Sequence, residues 1–286
     1  MLDFSHIPSP YSSNVKTFNS ASAVPQVWAK PRGASMVYIQ AIGAGGGGGN
    51  GFTRASGVQG GGGGGGGGAG IGTLLVPAYL LPDILYVFVG SGGLATIAGV
   101  DSVVSFYPSA SSPSLIYGPG GNAGGTGTGA AGGAASGIVA APTTATRFLN
   151  MGLFVGYAGS DGPAGGVSGV GADSAALATG ITCGGASGAG VSVLDVTTAG
   201  GQVTGITNYL QNVSAGADPG GAGNLGNTSF APLCATGGSG GGSGGVVVGG
   251  AGGAGGVGSG GGGGGAGTTG GAGGRGGDGI VIIISW

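Results

Sequence analysis

Glutamate is absent from this sequence, histidine occurs once, at His6, and cysteine twice, at Cys183 and Cys234. Eight aspartates and six Lys plus Arg complete the charge, which amounts to 5% of 286 residues and is mostly scattered. General acid–base catalysis draws on His, Glu, Asp and Lys held close together with shifted pKa values, so the composition argues against an enzyme. No basic cluster exists beyond the pair Lys30 and Arg32. Nucleic acid, whose phosphates are neutralised by such clusters, is therefore not an expected partner. The apolar stretch Val76–Val89 is broken by Pro77, Pro82 and Asp83, and no uninterrupted run approaches the length of about 18 residues that suggests a spanning helix. Residues 1–30 lack the charged-then-apolar layout of a secretory signal; the expectation is a protein folded in the cytoplasm where it is made.

What is present is glycine, 83 residues, against roughly 7% in an average protein. Collagen is excluded, because it needs an unbroken Gly-X-Y period and abundant proline, whereas this chain has runs such as Gly60–Gly68 and only 13 prolines. Disorder of the whole chain is also disfavoured. Disordered chains are poor in apolar residues and rich in charge, while here the mean hydropathy is +0.42 and the net charge −2. Such a chain must pack on itself or on neighbours.

Three segments read as strong strands, being rich in β-branched and aromatic residues. They are Met36–Ile42 after the turn signal Pro31-Arg32-Gly33, Ile84–Val89, and Ile280–Ile284. Thr73–Val76 reads as a strand too, with weaker candidates at Val103–Tyr107 and Ser114–Tyr117. Ile84–Val89 and Ile280–Ile284 are apolar on both faces, which places them centrally in a sheet or in a subunit interface. The expected fold is mainly β, essentially without α-helix: a small β-sandwich of N- and C-terminal strands carrying a large glycine-rich insertion. Residues 1–25 would form an arm or a short preliminary strand, 26–117 with 280–286 the sandwich base, and 118–279 the insertion. Glycine costs about 1 kcal/mol per position in a helix relative to alanine, so the insertion needs another regular structure. Polyproline II-like helices satisfy none of their own backbone groups. Packed side by side without side chains they can satisfy one another's, and a polyglycine II-like bundle is the expected solution.

The run from Trp28-Ala-Lys30-Pro31-Arg-Gly33 through the strand 36–42 into Gly43–Gly51 resembles the opening of the glycine-rich domain of bacteriophage tail and other virion proteins. Leu85–Gly93, ending Val-Gly-Ser-Gly-Gly, and the closing Gly-Gly-Asp278-Gly-Ile-Val-Ile-Ile-Ile-Ser-Trp286 resemble the same family. These motifs span about 26–125 and 265–286, and the middle matches only in composition. That middle is similar to glycine-rich distal tail-fibre adhesins, in which segments between polyglycine II tracts form receptor-contacting tips. By analogy Arg147–Tyr157, Asn208–Asn212 and Thr228–Leu233 are candidate tips. The resemblance implies a virion structural protein, assembled in the host cytoplasm and presenting loops at the particle surface for host attachment. The alternative is a purely architectural capsid-decoration or head-fibre subunit.

Chemistry-bearing motifs are few. Gly-x-Gly-x-x-Gly recurs, as this glycine content demands, but in no strand–turn–helix context, and no Gly-x4-Gly-Lys-Ser/Thr occurs. Gly273–Val281 fits one copy of the calcium-binding nonapeptide, which works only by stacking repeats; Asp278 is expected simply to cap a turn. The cysteines are expected as free thiols. No cofactor or metal is implied. Ice binding would need a flat repeated Thr or Ala face, and the threonines are scattered. Aromatics between glycine tracts are the candidate surface-contact residues: Phe106, Tyr107, Tyr117, Phe148, Phe154, Tyr157, Tyr209 and Phe230. They serve equally as core plugs. Expected partners are other virion proteins, further copies of this chain, and a host-surface saccharide or outer-membrane protein.

Overall fold

The computed structural model describes residues 13–110, 114–142, 152–175, 181–205, 210–230 and 233–286. It is mainly β, and its single helical turn among these residues is the 3-10 turn Ala78–Leu80 between two strands. A five-stranded antiparallel sheet runs in the order β1 (Asn14–Phe18), β13 (Ile280–Ser285), β3 (Met36–Ile42), β4 (Ile71–Pro77), β8 (Leu153–Tyr157). A four-stranded antiparallel sheet, β2 (Gln26–Ala29), β5 (Ile84–Phe88), β6 (Ser102–Ser105), β7 (Ser114–Gly118), packs against it. Strand alternation sends one set of side chains inward: Ile39, Leu74, Val76 and Ile283 of the first sheet meet Trp28, Leu85, Val87, Val104 and Ile116 of the second. The two strands that are apolar on both faces are central, β5 between β2 and β6 and β13 between β1 and β3.

Beside the sandwich stands a bundle of glycine tracts. Segment 61–70 shows its rule. The N–H groups of Gly61, Gly64, Gly67 and Gly70 donate to carbonyls of Thr128, Gly125, Asn122 and Pro119. Those of Gly62, Gly65 and Gly68 go to Gly166, Pro163 and Ser160, and those of Gly63, Gly66 and Ala69 to Gly264, Gly261 and Gly258, all at 2.8–2.9 Å. Their carbonyls accept from three further segments, through Gly46 and Gly49, Gly133, and Gly185 and Gly188. Three residues per turn, each addressing a different neighbour, is the geometry of a polyproline II helix in a six-fold lattice. Segments 183–191, 235–244 and 258–267 have the same complete surroundings.

Close approach explains the glycines. A Cβ on Gly63 would lie 2.0 Å from the Gly49 carbonyl oxygen, and one on Gly263 2.1 Å from that of Gly63. Serines occupy positions where a hydroxyl replaces a missing acceptor. Ser136, Ser187, Ser239 and Ser243 each accept a backbone N–H at 2.7 Å, from Gly162, Ala172, Asn224 and Thr198. Cys183 and Cys234 are buried and neither is in a disulfide. Burial pushes the Cys183 thiol up to about 12, its acceptance of the Gly237 N–H opposing this in part.

The sequence motifs fall at both ends of the sandwich: Lys30–Gly33 lie where β3 begins and β4 ends, away from the bundle, and Asp278 lies at the seam with it. Trp28 is buried in the core, and the Lys30 amine donates to the carbonyls of Leu81 and Ala78 and pairs with Asp83 at 3.2 Å, tying the β2–β3 turn to the β4–β5 connection. Gly33 takes φ +81°, a left-handed turn position that glycine adopts without strain. Asp278 accepts the Gly92 N–H at 2.7 Å and pairs with Arg275, so its carboxylate caps backbone at the seam.

Within residues 1–25 the short strand of the two alternatives is found: β1 pairs along β13 from Asn14↔Ser285 to Phe18↔Val281. The layout differs from the expected segments in two respects. Tracts 43–51, 60–70 and 90–100, assigned to the base, belong to the bundle through their hydrogen bonds. Strand β8 leaves the 118–279 insertion to pair with β4. The cause is common to both: sandwich strands run directly into glycine tracts, so the two layers interleave in sequence. Two small pairs complete the strands: β9 (Ser174–Ala175) with β10 (Val203–Thr204), and β11 (Thr228–Phe230) with β12 (Leu233–Ala235).

Candidate contact surface at the free end of the bundle

Strand β3 ends at Ile42, tract 43–51 leads away, and tract 60–70 returns to β4 at Ile71. At about 3.1 Å rise per residue such a tract spans about 28 Å, so loop 52–59 lies at the bundle's free end. Loops 192–197 and 245–248 join it there. Arg54 is the organiser. Its buried guanidinium donates from Nη1 to the carbonyls of Val58 (2.7 Å) and Ala55 (3.0 Å) and from Nη2 to that of Gly245 (2.7 Å). Nη1 also pairs with Asp195 at 2.6 Å. Its Nε is buried without a partner among the described residues.

Asp195 sits at φ 56°, left-handed for a non-glycine residue, a region that Asp visits more readily than most residues. It accepts Ser56 Oγ–H at 2.6 Å and the Gly57 N–H at 3.2 Å. The Ser56 hydroxyl, then the Arg54 guanidinium and the Gly57 N–H, hold its carboxyl below the usual carboxylate range. Thr53 Oγ1 accepts the Gly270 N–H at 2.8 Å, and the Thr268 N–H reaches the Val247 carbonyl. The loops are thus fixed from within, and their outward side chains are aliphatic. Leu194 is 80% exposed, and Val193, Val196, Val246, Val247 and Val248 are exposed beside it.

The aromatic candidates lie elsewhere. Phe106 and Phe154 pack part-buried against the sandwich core, as plugs. Tyr117 is half-buried on β7. Tyr107, in the β6–β7 connection, Tyr157, on β8, and Phe230, on β11, are exposed. Phe148 and Tyr209 lie outside the described residues. The placed aromatics are spread over the sandwich and its junction with the bundle: β8 joins the five-stranded sheet, and Leu233 of the β11–β12 pair packs on Ile42, Ile71 and Ile280. The free end is built by segments that sequence reading passed over for want of aromatics. Their signal was present as aliphatic runs bracketed by glycine, Val191–Val196 and Val246–Val248.

Among the described residues no three His, Cys, Asp or Glu side chains are grouped to hold a metal ion, and no helix is long and apolar enough to cross a membrane. The aspartates serve as backbone and side-chain acceptors: Asp101 for the Gly120 N–H, Asp173 for Gln202, Asp218 for Thr197. The sequence matches no known family model and none of the curated proteins with which it was compared.

Proposed function

We propose that this chain is a bacteriophage virion structural protein that presents glycine-scaffolded loops at the particle surface, with host attachment as its task. The observation that carries the reading is the polarity of the molecule: a sandwich at one end, a rigid hydrogen-bonded bundle, and a cluster of internally braced loops with outward aliphatic side chains at the other. Binding surfaces are commonly loops positioned by a rigid scaffold. The motif resemblance around Trp28–Gly51, Leu85–Gly93 and Gly276–Trp286 supports the viral context, and the structural duties of the aspartates support a non-enzymatic role.

A capsid-decoration or head-fibre role is the second reading. The aliphatic character of the free end favours it, since recognition of saccharides draws on aromatic faces, and Leu194 and its valine neighbours suit contact with another protein. Immunogold labelling of purified particles in the electron microscope separates the two. Label at tail or fibre tips supports attachment, label over the head supports decoration, and no label on any particle overturns both.

A further inference from the structure

We propose that the outer face of the five-stranded sheet is the contact surface for a second copy of this chain. An antiparallel sheet with one face on the core normally turns polar residues outward. Here the outward rung Val15–Ile284–Tyr38–Leu75–Leu153 is apolar across all five strands, by the register of their pairing. The next rung adds Ile282 and Val155 among Thr17, Gln40 and Thr73. Neither rung carries a charged side chain. Val15 is 56% and Leu153 66% exposed at the two edges, and the residues between them are partly open.

The chain itself shows how this face is covered. One rung nearer the bundle, Ile42, Ile71 and Ile280 continue the same face and are buried under Ile181, Leu233 and Val257. Among the described residues the apolar layer then stops, while the apolar face beneath continues. A second copy offers the same uncharged apolar surface, and a two-fold contact needs a patch complementary to itself. Sheets stacked face to face, about 10 Å apart, are a standard way to bury such patches. Five strands about 4.8 Å apart, taken over these rungs, give on the order of 400 Å² per partner. That is below the ~800 Å² of a standard interface, so the dimer is weak and concentration-dependent. This inference stands apart from the viral reading.

Sedimentation velocity of the full chain tests it. The expected result is a monomer near ~1 μM passing to a dimer near ~100 μM, as for a small interface. Combining Val15→Lys with Leu153→Lys, two exposed positions, is expected to weaken association at least about tenfold by setting like charges on the face, with an unaltered melting temperature as the check that the fold is kept. Leu194→Lys at the bundle's free end leaves it intact. A wild-type chain that is monomeric throughout overturns the proposal. So does a dimer lost in Leu194→Lys but kept in the double variant, which would assign association to the loops. A monomer that dimerises only after removal of residues 1–12 overturns it as well, giving the face to the chain's own N-terminal segment.

Discussion

The sandwich and the bundle solve the same problem with opposite materials. In the sandwich, backbone groups pair along strands and stability comes from the side chains between sheets, with Ile39, Val76, Val87 and Ile283 fully or almost fully buried. In the bundle, backbone groups pair in six directions, and the interior exists because side chains are missing. One region fails when a side chain is removed, the other when one is added. Buried Ala44, Ala69, Ala186, Ala189 and Ala266, together with Ser187, Ser239, Ser243 and Ser259, mark lattice positions that admit a Cβ.

That contrast can be broken or sharpened by substitution. The largest effect is expected from Gly263→Ala. Its Cβ would meet the Gly63 carbonyl oxygen at 2.1 Å and the Gly188 nitrogen at 2.7 Å, both backbone. The loss is expected to exceed ~3 kcal/mol, the upper range for overpacking, and to appear as a collapsed urea midpoint. Gly169→Ala is the control, since nothing lies within 4 Å of its Cβ and the change should be neutral or stabilising by up to about 1 kcal/mol. Equal effects at the two positions would refute the close-packing account.

Next comes Ile39→Ala in the sandwich, expected to cost about 2–5 kcal/mol as a cavity, again read from chemical denaturation. Should the two regions unfold in separate transitions, this variant will shift only one. Ser136→Ala is expected to cost about 1–3 kcal/mol, because the buried Gly162 N–H loses its acceptor. Hydrogen exchange at Gly162 should accelerate while the β3–β13 amides keep their protection.

The smallest effect concerns the free end. The folded state lowers the Asp195 pKa, so its contribution is complete above about pH 4, the ordinary Asp value, and fades as pH falls through the lower folded value. Exchange at the Gly57 amide should therefore show an extra acid-induced opening below about pH 4. Asp195→Asn should abolish that pH step. A step that persists in the variant would detach it from Asp195.

The two regions also differed in how far the sequence disclosed them. Met36–Ile42 is a strand at the boundaries its composition suggests, and Ile84–Val89 and Ile280–Ile284 proved central because isoleucine and valine on both faces leave few other places. Strand β1 was harder to see, since Asn14, Lys16 and Thr17 carry no apolar period and the segment is held by pairing with β13, far away in the chain. The glycine tracts were legible as a kind of structure but not as an arrangement. A tract with no side chains has no face, so nothing local tells 61–70 that its partners are 119–128, 160–166 and 258–264. The free end escaped for a related reason: Arg54 and Asp195 are distant in sequence, and only the folded lattice sets them 2.6 Å apart.

The three-way address carried by each turn also constrains how such a protein can change in length. One residue inserted into tract 61–70 would rotate every later N–H by a third of a turn, away from its own acceptor and toward a neighbour's. A triplet would restore every address but leave a full turn unmatched unless the surrounding tracts grew alongside it. Variation in this bundle should therefore be quantised, with tract lengths drifting in threes and in concert. The loops between tracts stand outside that arithmetic and are free to vary singly.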